Sequence, residues 1–563
     1  QHRPQRVADR ARRHGCSVAL GRPQIIKKTQ IGLLMNRDRL WGLQFRSTNL
    51  WFLAVVTMIA VLAAALVNRP GYQVIEIAAA AAAVAASLAV VTLRSRTLLG
   101  WLWKRLTFQR SPRDEIALFA AETTGHTWDG RRASVYIELL PQPYETTIIG
   151  AEQETTIRRI PVDAIREELT QFDIHCDHVT LLTLGYKYDE PSQLATVCHA
   201  AVGPVGALLY GRTVLEVSIA LDRSLDSVYA RQGNDGVAVG LSRTVTIAAE
   251  RIRRRLSQLG WNARLLSEDD LAALQSQFSG VLIEQLDHEH WGSCGAKAMR
   301  ASMFTPIRSA WTPASYREWL KLNTHRTLQI LRFTRNRDGS DHAEMYVGYL
   351  DTDKSALSTV RAIGLRRQYG QQGDILTAAI PAMRTIPTSA VPGKTLSQAE
   401  EFPMPLYAAG VGTFIGLTRP RAQVFVNFTV GSAPFYVVAP AALCQQLLLR
   451  LATSGRSIDI SLPGEEWQVF ARRIGATHDR RPDADIVVTA QEGVTKQSHP
   501  NQVRLVWTTS EPRRIDYGIV AGPDECVLTT PTGQTRYRWS VSNAEQNVFT
   551  LRPRAPRHAA TAS

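Results

Sequence analysis

Two apolar runs near the start of the chain dominate its hydropathy pattern. Leu50 to Val67 (LWFLAVVTMIAVLAAALV) is eighteen residues without a charge, and Ile77 to Leu93 (IAAAAAAVAASLAVVTL) is seventeen more. A helix needs about 20 such residues to cross a hydrocarbon core of about 30 Å, so each run is predicted to span a membrane. The second reaches that length from Val74 if Glu76 snorkels to the interface. Asn68-Arg69-Pro70-Gly71-Tyr72 joins the two and predicts a two-helix hairpin over 49–93. A buried helical hairpin in a soluble protein is the alternative. Neither run has a polar face, which favours the membrane. A cleaved signal peptide fits poorly, because the first run starts far from the N-terminus and a second one follows.

Past residue 116 the pattern shifts to short strand-like and helix-like stretches. Ser134–Leu139, Thr146–Ile149 and Thr155–Ile160 read as strands, and Pro161 opens a helix through Gln171. Val179–Leu184 and Thr213–Leu221 read as further strands. Val245, Ala249, Ile252, Leu256 and Leu259 recur at helical spacing, which predicts a helix over Ser242–Leu259 ended by Gly260. Thr327–Arg335 and His342–Leu350 are expected to pair as a hairpin around Asp338-Gly339. Residues 385–405 are rich in Pro, Ser and Thr and read as a linker. After them come strands Gly412–Leu417, Gln423–Phe428 and Phe435–Val438, a helix from Pro440 to Leu451, strand Ile458–Leu462 and helix Glu465–Arg473.

The predicted class is therefore α+β: the hairpin, then a cytosolic mixed α/β region of two related subdomains with a β-rich C-terminal extension. The expected segments are a basic N-terminal stretch (1–48), the hairpin (49–93), a Trp-rich juxtamembrane stretch (94–115) and a first α/β subdomain (116–290). A middle region (291–384), the linker (385–405), a second α/β subdomain (406–480), the extension (481–551) and a disordered tail (552–563) complete the chain. It begins at Gln1, so the natural start can lie further upstream.

Charge sharpens this picture. The chain carries a formal +15, which spread over the fold would suggest nucleic acid. It is not spread. Residues 1–48 carry +9 and residues 94–113 carry +6, while the region after 113 holds 47 bases and 47 acids. The excess flanks the hairpin, so anionic lipid headgroups are the expected polyanion. Only Arg69 lies in the connecting turn, and the positive-inside rule then places both ends in the cytoplasm of an inner, plasma-membrane protein. Small residues Ala81, Ala85, Ala86 and Ser87 on the second run would let a partner's helix approach closely. Trp101, Trp103, Lys104 and Arg105 mix indoles with cations and suit the headgroup layer, or simply extend a helix.

Chemistry-bearing motifs are sparse. There is no GxxxxGK[ST] and no GxSxG, and six scattered cysteines include no CxxC. Gly410-Val411-Gly412 with Gly416 opens a strand pair instead of a helix, which argues against a dinucleotide. No cofactor and no metal are expected. Asp351-Thr352-Asp353 could hold a divalent metal against a nucleotide-sugar, giving a membrane-anchored glycosyltransferase-like alternative; a solvated turn is the plainer reading. Asp287-His288-Glu289-His290 with Cys294, and His175, His178, Cys198 and His199, lack metal-ligand spacing and read as ordinary polar residues. Arg251, Arg253, Arg254 and Arg255 read as the solvated face of their helix.

The whole pattern resembles the EccE component of the type VII (ESX) secretion system of mycobacteria and their relatives. The stretches that carry the likeness are Val179–Gly185 (VTLLTLG), Ile247–Leu274, the pair Gly412–Phe428 and the helix from Pro440 (PAALCQQLLLRLATSGRSIDI). The resemblance covers most of 45–480, and these stretches bear on the fold, with no catalytic signature among them. The resemblance implies a structural, non-ATPase membrane subunit that assembles with EccB, EccC and EccD, with EccC supplying ATP hydrolysis.

Overall fold

The computed structural model describes residues 98–108, 117–121, most of 123–490 and 497–550, together with 41–43, 91–93, 96–97 and scattered positions between 55 and 84. The chain divides into two units, Gln1–Thr97 and Leu98–Ser563.

In the first unit, strands Trp41–Leu43, Val91–Leu93 and Arg96–Thr97 form a small antiparallel sheet, with Trp41 opposite Leu93. The segments that flank the two apolar runs are thus hydrogen-bonded to each other. The second run was expected to stay helical to Leu93. It gives way to strand by Val91, where consecutive β-branched residues (Val90, Val91, Thr92) disfavour helix. Between the flanks the described positions are helical and exposed, among them Val55, Met58, Ile59, Leu62, Ile77 and Val84. The rest of the hairpin lies outside the described residues, as do Ala81, Ala85, Ala86 and Ser87. Among the described residues no helix is long and apolar enough to cross a membrane.

The second unit is built on a large antiparallel sheet. Its main strands are β1 (Ala117–Ala121), β2 (Thr124–Trp128), β3 (Arg132–Leu140), β4 (His178–Tyr186), β5 (Tyr210–Ala220), β6 (Arg300–Pro306), β7 (Arg326–Arg335) and β8 (Asp341–Asp351). They lie side by side in the order β6-β8-β7-β4-β5-β3-β2-β1. Alternation along each strand gives two faces. One face carries Val135, Ile137, Val179, Leu181, Leu215, Val217, Leu331, Phe333, Met345 and Val347, all buried. Helix Val237–Gln258 covers it with Leu241, Val245, Ala248, Ile252 and Leu256, a stripe at helical spacing. Gly260 follows that helix with φ +85°, a conformation in which glycine avoids the Cβ penalty.

The other face is apolar at one end only. There Leu182, Leu184, Val214, Leu328, Ile330 and Leu350 pack under helix Glu268–Leu286, through Leu271, Leu274, Phe278 and Leu282. That helix starts with a capping box. Ser267 accepts from the Asp270 amide, and the Asp270 carboxylate accepts from the Ser267 amide.

A second sheet organises the C-terminal part. Strands Ile458–Ser461, Ile486–Thr489, Val503–Thr508, Phe435–Val438 and Gly518–Ala521 are parallel in that order, and Cys526–Thr530 and Gly533–Tyr537 continue it antiparallel. Residues after 480 were expected to form a separate extension. They instead join the sheet of the 406–480 segment: Ile486–Thr489 and Val503–Thr508 lie between Ile458–Ser461 and Phe435–Val438, and the later strands extend it beyond Phe435–Val438 and complete its core. Helix Asn543–Thr550 follows, unforeseen from the sequence. The likeness between the two subdomains is one of element order alone: the first sheet is antiparallel and the second mostly parallel. Thr146–Ile149 leaves the first part to pair with Gln423–Val426, tying the two together.

The expected linker is also partly structured. Lys394–Leu396 adds to β8, and Leu396, Phe402 and Met404 are buried in the core, so its second half is part of the fold. Residues 384–392 lie outside the described ones.

Candidate functional site

Two features of the second unit stand out as places where sequence was spent on something other than packing. The first is a band of polar side chains crossing the remaining half of the second face. In one row, Thr127, Ser134, Ser218 and His178 stand opposite one another on β2, β3, β5 and β4. In the next, Tyr136, Glu216, Thr180, Arg332 and Glu344 cross β3, β5, β4, β7 and β8. None of these nine residues is more than 6% exposed, where apolar side chains would ordinarily sit.

The band is only partly satisfied. His178 Nδ1 lies 3.2 Å from Asp177 Oδ2, and its Nε2 is 3.7 Å from Glu216 Oε2. Tyr136 donates to Glu216 at 3.4 Å and accepts from the Ala382 amide at 3.0 Å. Arg332 Nε donates to Thr180 at 3.3 Å. Neither carboxylate oxygen of Glu344 has a hydrogen bond, and Ser218 Oγ and Tyr346 Oη on the same face have none either. His342 Nε2 approaches Glu344 Oε1 at 3.6 Å. Burial pushes the Glu344 carboxyl up to about 7, with Arg332 and His178 pulling it back only partly. At Glu216 burial acts the same way, yet His178 and Arg332 outweigh it and hold the carboxylate below its ordinary range. Two buried carboxyls on one face are therefore shifted in opposite directions.

The sequence-based reading missed this band. The available signal was a charged residue at an inward position of an apolar strand, as in Leu215-Glu216-Val217 and Leu331-Arg332-Phe333.

The second feature is helix Leu98–Leu106. Trp101 packs edge-on against Trp291 (ring centroids 5.7 Å apart) and Tyr369 (6.3 Å). Arg105 lies over the Trp291 ring at 5.2 Å, and Phe108 meets the same ring at 5.5 Å. Trp103 is 68% exposed and Leu106 73%, with Leu102 beside them. Of the four residues singled out from the sequence, Trp101 thus faces inward and Trp103 outward. Lys104 is half-buried and Arg105 exposed.

The candidate metal sets are not brought together. Among the described residues no three of His, Cys, Asp and Glu meet to hold an ion. Glu289 accepts from the Gly373 amide at 2.9 Å. Cys198 donates to the Leu449 carbonyl, and His178 belongs to the polar band. Burial pushes the Cys176 and Cys198 thiols up to about 12, so neither is a ready nucleophile or ligand. His199 and His325 are each lowered to about 4 by burial, with Lys187 and Arg326 respectively adding to the effect. Asp351 does not sit in a solvated turn. It ends β8 at 8% exposure, opposite Arg300, while Asp353 lies outside the described residues. A groove of about 300 Å³ is lined by Arg159, Arg317, Phe402, Met404 and Tyr407 with three prolines, and no carboxylate, thiol or imidazole lines it.

The model of the family described as "Putative type VII ESX secretion system translocon, EccE" matches residues 211–305. ESX-1 secretion system protein EccE1 of Mycolicibacterium smegmatis is 23% identical over 416 residues, 71% of this chain and 79% of its own length. EccE1 of Mycobacterium tuberculosis, strains CDC 1551 and H37Rv, is 24% identical over 408 residues, 69% of this chain and 77% of its own. The chain is thus similar to EccE1 proteins over 69–71% of its length. The matched EccE segment has a clear structural content: it holds β5 and both helices that cover the large sheet, Val237–Gln258 on one face and Glu268–Leu286 on the other. Glu216 and Ser218 of the polar band fall inside it, on β5.

Proposed function

We propose that this chain is a structural, non-ATPase subunit of a type VII (ESX) secretion complex, held in the inner membrane by its hairpin. The supporting observation is the EccE match, which falls on the central strand and the covering helices of the sheet. Division of labour fits it. The sequence has no P-loop, so ATP hydrolysis would fall to another subunit. The partners implied are the EccB, EccC and EccD components, together with anionic lipid.

The membrane reading rests on the two uncharged runs, the basic flanks and the exposed apolar helical positions between 55 and 84. Pairing of Trp41–Leu43 with Val91–Leu93 keeps both flanks of the hairpin on one side, as two cytoplasmic ends require. Ala81, Ala85, Ala86 and Ser87 are the proposed contact for a partner's helix. Trp103, with Leu102 and Leu106, would meet the headgroup layer, Lys104 and Arg105 would meet its phosphates, and Trp101 would anchor the helix from behind.

Extraction in mild detergent from cells that also make the other membrane components, followed by a native gel, tests the proposal. The chain should migrate with them in one large assembly. Migration alone, at the size of a 62.4 kDa chain plus detergent, would refute it.

A further inference from the structure

Strands Thr170–Gln171 and Ile174–His175 form a tight hairpin with only Phe172 and Asp173 in its loop. Phe172 has φ +54°, and Asp173 does not share the positive φ. A two-residue turn with positive φ at its first position alone ordinarily takes glycine there. Here that position holds a phenylalanine whose side chain packs into no core: Phe172 is 91% exposed. Backbone strain and solvent-exposed apolar surface both work against stability, and they coincide in one residue.

The surroundings hold this conformation in place. Ser227 donates to the Asp173 carbonyl, and Arg231 pairs with the Asp173 carboxylate at 2.7 Å. Gln171 Nε2 donates to the carbonyls of Glu168 (3.0 Å) and Ala248 (3.2 Å). Ser224 accepts from the His175 amide and donates to the His175 carbonyl. Arg251 donates to the Gln171 carbonyl at 3.3 Å and lays its guanidinium over the Phe172 ring, 5.4 Å from the centroid. The neighbouring arginines are neutralised: Arg253 and Arg254 bind Glu250, and Arg255 lies 3.6 Å from Glu167. Arg251 makes no ion pair among the described residues. The tip thus presents an exposed aromatic on a firmly held turn, with a cation stacked on it that feels the Glu168 carboxylate but forms no direct ion pair among the described residues.

We propose that Phe172 is a preset anchor that enters an apolar socket, edged by a carboxylate for Arg251, on another protein subunit of the secretion assembly; this rests on the assembly membership proposed above. A rigid aromatic loses little conformational freedom on docking, which is why such residues carry a large share of interface energy. A lipid surface fits less well, because the arginines flanking this tip are already paired with carboxylates while the chain's uncompensated positive charge lies elsewhere, beside the hairpin.

The test uses the full chain made together with the other membrane components and sized on a native gel. Phe172→Gly relieves the backbone strain, so its melting temperature should be unchanged or higher by about 2 °C. Its share of chain in the assembly should nonetheless fall about tenfold. Phe172→Trp should retain assembly, and Arg251→Glu should weaken it. If Phe172→Gly assembles like the wild type, the anchor is refuted while the assembly reading stands. If the wild-type chain migrates alone, both fail. If Phe172→Gly leaves the assembly intact but lets the chain wash off membranes, the tip contacts lipid and the protein-socket proposal is overturned.

Discussion

Arg332 stands directly opposite Glu344 on neighbouring strands, yet neither carboxylate oxygen of Glu344 receives a hydrogen bond. A charge pair buried without direct bonding gains little from attraction and loses its hydration. The consequence is a carboxyl that keeps its proton until the surroundings reach neutrality.

That makes stability depend on pH in a definite direction. The folded-state value of Glu344, about 7, lies above the ordinary 4.5. Below pH 4.5 the group is protonated folded or unfolded and costs nothing. As pH rises from there the unfolded chain releases the proton first, and stability falls until the folded group ionises near 7. Over that window the loss is about 3 kcal/mol, at about 1.4 kcal/mol per pH unit. Glu344→Gln should therefore unfold at higher denaturant than wild type at pH 8 and lose most of that advantage at pH 4.5. Equal gains at both pH values would show that ionisation is not the cause.

Glu545 is fully buried and binds Arg450 at 2.8 Å and 3.1 Å, which fastens helix Asn543–Thr550 to helix Ala441–Ala452. Glu545→Ala would leave the guanidinium buried with carbonyls alone (Phe414 and Ser540) as its hydrogen-bond partners. A loss of about 3–5 kcal/mol is expected in chemical denaturation. The double variant Arg450→Met/Glu545→Leu should recover much of it, since no charge is then stranded.

Trp291 is the floor on which helix Leu98–Leu106 rests, through Trp101, Arg105 and Phe108. Trp291→Ala should free that helix while the sheet beneath stays folded. Trypsin cleavage after Lys104 and Arg105 should speed up by roughly tenfold, with the melting transition of the rest little changed. Unchanged cleavage would mean the helix is held by other contacts.

Trp103 should lie in the headgroup layer when the chain is in a bilayer. The cysteines at 176, 198, 294, 444 and 526 are all buried, so Trp103→Cys in a Cys16→Ser background can be labelled selectively. A polarity-sensitive dye there should emit further to the blue in anionic nanodiscs than in detergent. The same dye at the exposed position of Tyr229→Cys should not shift. No shift at 103 would remove the helix from the membrane surface.

Local pattern predicted local structure well. Thr146–Ile149 and Phe435–Val438 have the ends read from the sequence, and Gly260 follows the end of its helix as foreseen. What the sequence did not reveal depends on register between distant strands. Glu216, His178, Arg332 and Glu344 each look like a single polar residue in an apolar strand. Only pairing across β5, β4, β7 and β8 sets them on one face. The C-terminal strands were legible one by one, but their parallel order is set by crossovers that no short window contains. Phe172 was passed over for a related reason. An aromatic near a helix end reads as core until the turn puts it in solvent.

The pairing of Thr146–Ile149 with Gln423–Val426 has a consequence for how the protein is made. The earlier strand leaves the ribosome roughly 270 residues ahead of the one it must pair with, which at ordinary translation speeds is roughly 15–55 s. Throughout that interval its backbone edge lacks its permanent neighbour. Synthesis rate, and whatever shelters the nascent chain meanwhile, become determinants of yield. Slowing translation of the intervening stretch should harm this protein more than slowing it after residue 426.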